Sequence, residues 1–136
     1  MLRIGLIGCG YMGGMHSACY QAIEGAKVVA VADIRAEKAQ AIADVHGAKI
    51  FETGMDLINE AEVDVIDVCL PTYLHTEHAV AAMKKGRDVF IEKPVCLTRE
   101  EGELLLQTQK PLQRVRLTHL FSQVKQLPLL SEKQFS

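Results

Sequence analysis

Three glycines near the amino terminus constrain this chain more than any other feature. Gly8, Gly10 and Gly13 stand at G-x-G-x-x-G spacing in the run Ile4 to His16, I-G-L-I-G-C-G-Y-M-G-G-M-H, behind a short apolar stretch and ahead of a helical pattern. Each has its own physical reason. Gly8 lets the chain leave a strand in a tight turn, Gly10 lets backbone approach a pyrophosphate, and Gly13 lets the helix pack closely on the strand. The helix start then offers unpaired N–H groups and a positive dipole end to phosphate. Glycine turns are common in α/β proteins, so the surroundings must decide what this one holds.

The surroundings alternate without a break. Leu2 to Ile7 is an apolar run of the kind buried on both faces of a sheet. Tyr11 to Glu24 reads as a helix with Met15, Ala18, Cys19, Ala22 and Ile23 on one apolar side and Gly25 placed to end it. Lys27 to Ala32 is a valine-rich second strand, Arg35 to His46 a helix ended by Gly47, Ala48 to Phe51 a short strand and Met55 to Asn59 a short helix. Val63 to Leu70 is a fourth strand stopped by Pro71, with Asp64 and Asp67 marking its less buried positions. Thr76 to Lys85 is a helix ended by Gly86, and Asp88 to Ile91 a fifth strand, followed by Pro94. Thr98-Arg99-Glu100-Glu101 forms a capping box that launches a helix to about Thr108.

Strand and helix in this order predict an α/β domain with a doubly wound parallel sheet, the Rossmann arrangement. Beyond it the signals conflict. Arg114 to Thr118 alternates like a sixth strand, while Leu117, Leu120, Phe121, Val124 and Leu127 recur at helical spacing up to Pro128. We prefer the strand, assign 1–120 to the sheet domain and 121–136 to an atypical tail, and leave the last ten residues without an element.

Composition removes several function classes. The chain has 136 residues, 49% of them apolar and 24% charged, and a net charge of -2, so no basic excess calls for nucleic acid or an anionic membrane. No stretch is long and apolar enough to span a bilayer, and Met1 to Cys9 carries Arg3 and reaches the glycines too soon for a signal peptide, which makes a cytoplasmic location the expectation. The four cysteines, Cys9, Cys19, Cys69 and Cys96, include no C-x-x-C pair, so buried reduced thiols are expected rather than a metal site or a disulfide framework.

In open α/β sheets ligands sit outside the carboxyl ends of the strands. The candidates there are the glycine turn with Tyr11 and Met12, then Asp33, Ile34 and Arg35, then Leu70, Pro71, Thr72 and His75, and finally Glu92, Lys93 and Pro94. Asp33 follows the last motif glycine by roughly 20 residues, where an acid accepts hydrogen bonds from ribose hydroxyls. It also reads as a turn or cap residue, and one side chain can be both. Arg35 suits a 2′-phosphate while Asp33 repels one, so NAD is favoured slightly and NADP stays open. A lysine partly desolvated beside a cofactor has a lowered pKa and can move protons, but on its residues alone Lys93 reads more simply as a solvated strand-end lysine. His75 reads equally as a lining residue or a helix start. His46, His78 and His119 read as surface or packing residues.

Taken together, the glycine turn, Asp33, C-L-P-T-Y-L-H at Cys69 to His75 and I-E-K-P at Ile91 to Pro94 resemble the nucleotide-binding half of the Gfo/Idh/MocA oxidoreductases, which include glucose-fructose oxidoreductase and inositol dehydrogenase. The likeness runs from residue 1 to about 108. It implies NAD or NADP along the strand ends, with Leu70, Pro71, Thr72 and His75 lining it and Glu92 and Lys93 near the nicotinamide. It also implies that Lys93 touches a substrate hydroxyl or carbonyl and helps move its proton, and it places His16 at the histidine often found after the glycines.

Members of that family are more than twice this long, because a second α/β domain supplies most of the substrate pocket, a catalytic histidine and much of the oligomer interface. The expectation is therefore an NAD(P)-binding domain of an oxidoreductase acting on CH–OH groups of sugars or polyols, without full activity alone. A complete enzyme formed when a partner or oligomer supplies the pocket is one alternative, and a folded remnant that binds nothing tightly is another. Lys110 to Ser136 departs from the family pattern and reads as a foreign ending, such as a frameshift or early stop leaves. The face that would meet a second domain is expected to expose apolar surface, which predicts self-association or burial by the tail; the expectation is a homodimer through the sixth strand or an exchanged tail segment.

Overall fold

The structure is a computed structural model; it describes residues 1–112 and, as backbone alone, 117–119. In chain order the elements are β1 (Leu2–Ile7), α1 (Tyr11–Ala22), β2 (Ala26–Ala32), α2 (Ala36–His46), β3 (Lys49–Phe51), α3 (Gly54–Glu60) and β4 (Val65–Val68). A 3-10 turn (Thr72–Leu74) then leads into α4 (His75–Lys84), β5 (Asp88–Ile91), α5 (Arg99–Gln109) and β6 (Leu117–His119).

The strands form one sheet in the order β3-β2-β1-β4-β5-β6, and every neighbouring pair is parallel. The chain builds outward from β1 to β3, then crosses back so that β4 pairs on the other side of β1. Loops after β1 and β4 therefore leave in opposite directions and open a crevice at the carboxyl ends, the place where such sheets bind ligands.

The continuous apolar runs of the strands are explained by cover on both faces. On one side Ile4, Leu6, Val28 and Val31 meet Ala39, Ile42 and Ala43 of α2. On the other, Ile7, Ile66, Val68 and Ile91 meet Leu57 and Ile58 of α3, Ala79 and Met83 of α4 and Leu105 of α5. Each fully buried Val, Leu, Ile or Met side chain among them contributes about 1.5–3 kcal/mol relative to exposure. Gly47, left-handed at φ 67°, ends α2 as expected. Thr98 caps α5 by accepting the Glu101 N–H, and the Glu101 carboxylate reaches back to the Leu97 N–H and accepts the Thr76 hydroxyl of α4.

Two expectations about faces are corrected. The apolar stripe on the first helix does not face the core: Met15 is 46% and Ile23 50% exposed, Ala18, Cys19 and Ala22 are exposed too, and α1 instead buries Gly13, His16 and Ser17. Asp67 is not a less buried strand position but is fully buried (0% exposed), and it is the polar partner toward which α1 turns its histidine. Asp64 does lie partly exposed, paired with Arg3 of β1 at 3.1 Å. Cys19 is exposed and Cys69 and Cys96 are partly so, leaving Cys9 as the thiol that is buried as expected; all four are free.

Several boundaries also move. The first helix ends at Ala22 with Ile23 as its C-cap, so Gly25 lies in the turn that follows. The fourth strand is Val65–Val68, shorter than the apolar run, and α4 starts at His75. The sixth strand is present as Leu117–His119 on β5, while the competing helical spacing beyond it and the tail 121–136 lie outside the described residues. Among the described residues no helix is long and apolar enough to cross a membrane.

Candidate functional site

The glycine turn is seated by contacts that a methyl group would break. Gly8 has φ 95°, and a Cβ there would lie 2.5 Å from the carbonyl oxygen of Cys69. A Cβ on Gly13 would run into the carbonyl of Gly8 itself. The turn is thus pressed against the backbone beyond β4, and the first turn of α1 is pressed against the glycine turn. Gly8 N donates to Ala32 O at 2.8 Å and Cys69 N to Ile7 O at 2.7 Å, which tie three strand ends together. Gly10 is the N-cap of α1; no side chain caps the helix and its first turn carries no acid. That leaves the helix start suited to an anion.

Asp33 and Arg35 sit beside this turn. The Asp33 carboxylate accepts the Cys9 N–H at 2.7 Å, the Arg35 N–H at 2.7 Å and the Arg35 guanidinium at 3.1 and 3.2 Å. Burial alone would raise its pKa, but the guanidinium and the two backbone N–H groups outweigh it and hold the carboxyl below its usual range. The α2 N-cap is Arg35, so Asp33 makes an Asx-type turn ahead of the helix and also braces the glycine turn. The Arg35 guanidinium reaches over Gly10, 3.2 Å from where a Cβ would be. Ile34 is 88% and Tyr11 82% exposed, flanking the site without packing into it.

A cleft of about 270 Å³ opens between the loops after β1, β4 and β5. Met12 lines it with Leu70, Pro71 and Thr72 from the loop after β4 and with Glu92 and Lys93 from the end of β5. His75 completes the wall at 1% exposure; one ring nitrogen lies 2.7 Å from Leu70 O and the other 3.2 Å from Val95 O. It is both a lining residue and a stitch between the loops after β4 and β5. The structure therefore brings together Met12, Leu70, Pro71, Thr72, His75, Glu92 and Lys93 in one cleft, with Gly8, Gly10, Gly13, Asp33 and Arg35 in the adjoining glycine-turn region.

Beneath the cleft lies a polar group of which sequence reasoning placed only His16 and Glu92 near the site. Cys69 also lines the cleft, and its thiol donates to Asp67 at 3.4 Å. Tyr20 donates to Asp67 at 2.7 Å, and His16 lies 2.7 Å from both Asp67 and Glu92. Burial, then the Asp67 charge, pushes both the Tyr20 hydroxyl and the Cys69 thiol upward, so both stay neutral. Burial works against charge on His16, but its bonds to Asp67 and Glu92 outweigh it and raise its pKa above 6.5. The available signal was an aspartate in the middle of the apolar run V-I-D-V-C, because a carboxylate on a covered strand requires donors. Of the remaining histidines, His46 bonds Ser17 at 2.7 Å and His78 bonds Leu74 O at 2.8 Å, both in packing roles; the side chain of His119 lies outside the described residues.

Residues 2–119 match the family model for the oxidoreductase family with an NAD-binding Rossmann fold, Gfo/Idh/MocA. Inositol 2-dehydrogenase of Klebsiella pneumoniae subsp. pneumoniae is 41% identical over 102 residues, a match that takes in 73% of this chain and 30% of that protein. The chain thus spans about a third of the length of the curated relatives it matches. Among solved structures, an NAD binding oxidoreductase from Klebsiella pneumoniae superposes with a TM-score of 0.81 at 30% identity, covering 98% of this chain and 37% of the other. WlbA dehydrogenase from Bordetella pertussis, in complex with NADH and UDP-GlcNAcA, gives 0.82 at 28% identity, covering 88% and 34%.

Proposed function

The chain belongs to the oxidoreductase family with an NAD-binding Rossmann fold, Gfo/Idh/MocA, and we propose that the crevice holds the dinucleotide and serves the oxidation of a CH–OH group on a sugar or polyol. The observation that carries this is the uncapped glycine turn, with Asp33 at one side and a cleft ending in Glu92 and Lys93 at the other. The N–H groups of Tyr11, Met12 and Gly13 would receive the pyrophosphate, and Asp33 the adenosine ribose. Leu70, Pro71, Thr72 and His75 would hold the far half of the cofactor against the loops after β4 and β5. When bound, the nicotinamide supplies the hydride acceptor. Lys93 holds the substrate oxygen and takes up or returns its proton at Nζ. The sugar or polyol class is supported by the inositol 2-dehydrogenase relative and by the UDP-sugar in the Bordetella structure.

We favour NAD slightly over NADP because an ionised Asp33 repels a 2′-phosphate, while Arg35, half-exposed and paired with Asp33, is the group that would meet that phosphate if NADP bound. Isothermal titration should show heat with both NADH and NADPH, the former binding more tightly. Arg35→Ala should weaken NADPH by about tenfold, or 1.4 kcal/mol, and leave NADH nearly unchanged. An absence of heat with either dinucleotide at millimolar concentration would overturn the reading in favour of a folded remnant.

We assign binding to residues 1–120 and read 121–136 as an atypical tail. We propose that these 136 residues bind dinucleotide without full turnover by themselves; the inositol 2-dehydrogenase match takes in 30% of that protein. NADH formation by the pure protein with inositol or a sugar panel would refute that and favour a site completed within an oligomer. A homodimer through the edge strand β6 would appear in light scattering at twice the 15.0 kDa chain mass; a single 15.0 kDa species at high concentration would refute it.

A further inference from the structure

Glu92 belongs to two environments at once: it lines the cleft, and it ends a buried chain of polar groups for which the proposed chemistry has no use. The middle of that chain is His16, 6% exposed, with Nδ1 at 2.7 Å from Asp67 and Nε2 at 2.7 Å from Glu92, its ring edge-on to Phe90. An ionised carboxylate only accepts hydrogen bonds, so two such contacts require both ring nitrogens to donate or one carboxyl to carry the proton. Either way the trio holds one proton more than a neutral imidazole between two carboxylates. The Asp67 end is fixed, since Tyr20 and Cys69 also donate to it. The Glu92 end, 17% exposed against 0% for Asp67, is the one able to let go.

We propose that His16 is a positioning residue that ties Glu92 to Asp67 through both ring nitrogens, so that a retained proton holds the Glu92-Lys93 end of the dinucleotide cleft in place. This rests on the dinucleotide reading of that cleft. Loss of the proton leaves the ring a single donor, and Glu92 then faces a lone pair and turns away. The titratable groups around the ring are Tyr20 from α1, Asp67 and Cys69 from β4 and its following loop, Glu92 and the adjacent Lys93 after β5, and Cys9, whose charge reaches Cys69. Tyr20, Cys69 and Cys9 are all pushed up, Cys9 to about 12, so none of them changes charge where an imidazole titrates.

The test uses the full chain labelled with ¹⁵N-histidine, with NADH affinity followed against pH. His16 should titrate as a doubly protonated ring whose midpoint falls by about one pH unit or more in Glu92→Gln. NADH should raise the wild-type midpoint, and wild-type affinity should fall several-fold as pH rises through it. His16→Asn, which replaces a residue outside the cleft lining, should bind NADH more weakly and lose that pH dependence. An unshifted midpoint in Glu92→Gln, or the same pH dependence in His16→Asn, overturns the proposal. If His16→Asn does not fold, the NADH-induced rise of the wild-type midpoint decides: a rise supports the proposal and no change overturns it. If wild type binds no NADH at any pH, the dinucleotide reading fails, and the Glu92→Gln shift still decides whether His16 braces Glu92.

Discussion

Two neighbouring glycines show how much one methyl group decides. A Cβ on Gly13 would strike the Gly8 carbonyl, whereas a Cβ on Gly14 meets nothing within 4 Å. Gly13→Ala should therefore cost about 1–3 kcal/mol through forced backbone movement and abolish dinucleotide binding. Gly14→Ala, in an exposed helical position, should instead stabilise by about 0.5–1 kcal/mol. Thermal melts with NADH titrations separate the two, and equal behaviour would contradict the close packing of α1 on the glycine turn. The motif spacing was legible in the sequence at this scale; the surface Gly8 presses against was not, since it is the Cys69 backbone beyond β4, far along the chain.

Among the elements, α1 departs most from its periodicity. Its apolar stripe, including Met15, faces outward, while His16 and Tyr20 turn toward Asp67 of the sheet and Ser17 is buried against His46 of α2. Helical spacing identifies which side chains share a face but cannot say which face meets the protein when the facing strand carries a buried carboxylate. Met15→Gln should then change stability by less than about 0.5 kcal/mol. Tyr20→Phe removes a donor from a fully buried carboxylate and should cost about 1–3 kcal/mol. Urea unfolding of both variants checks this, and a larger loss for Met15→Gln would restore the face expected from periodicity. The other elements were readable within a few residues because their turns, caps and apolar runs act locally; Thr98 and Gly47 are instances.

For the molecule as a whole, stability should peak between two titrations of opposite sense. Asp33 lies below its ordinary 3.8 in the folded state, so its contribution is present above that value and is lost as pH falls through the lower folded pKa. His16 lies above its ordinary 6.5, so its contribution is full below that value and disappears as pH rises through the raised folded pKa. Urea midpoints measured from acid to mildly alkaline pH should decline on both sides. A rise through the alkaline limb would show that His16 is not held charged between Asp67 and Glu92.

Strand-helix alternation, the glycine spacing, Asp33 and the E-K-P segment by themselves determined a parallel Rossmann sheet with its candidate residues at the strand ends. They could do so because turn geometry, caps and short-range apolar patterning depend on near neighbours in the chain. Tertiary structure alone decided that α1 turns its polar side inward and that Asp67, His16 and Glu92 form one hydrogen-bonded chain beneath the cleft. Those residues lie 51 and 76 positions apart in sequence, and only the crossover that makes β1, β4 and β5 neighbours brings them within hydrogen-bond reach.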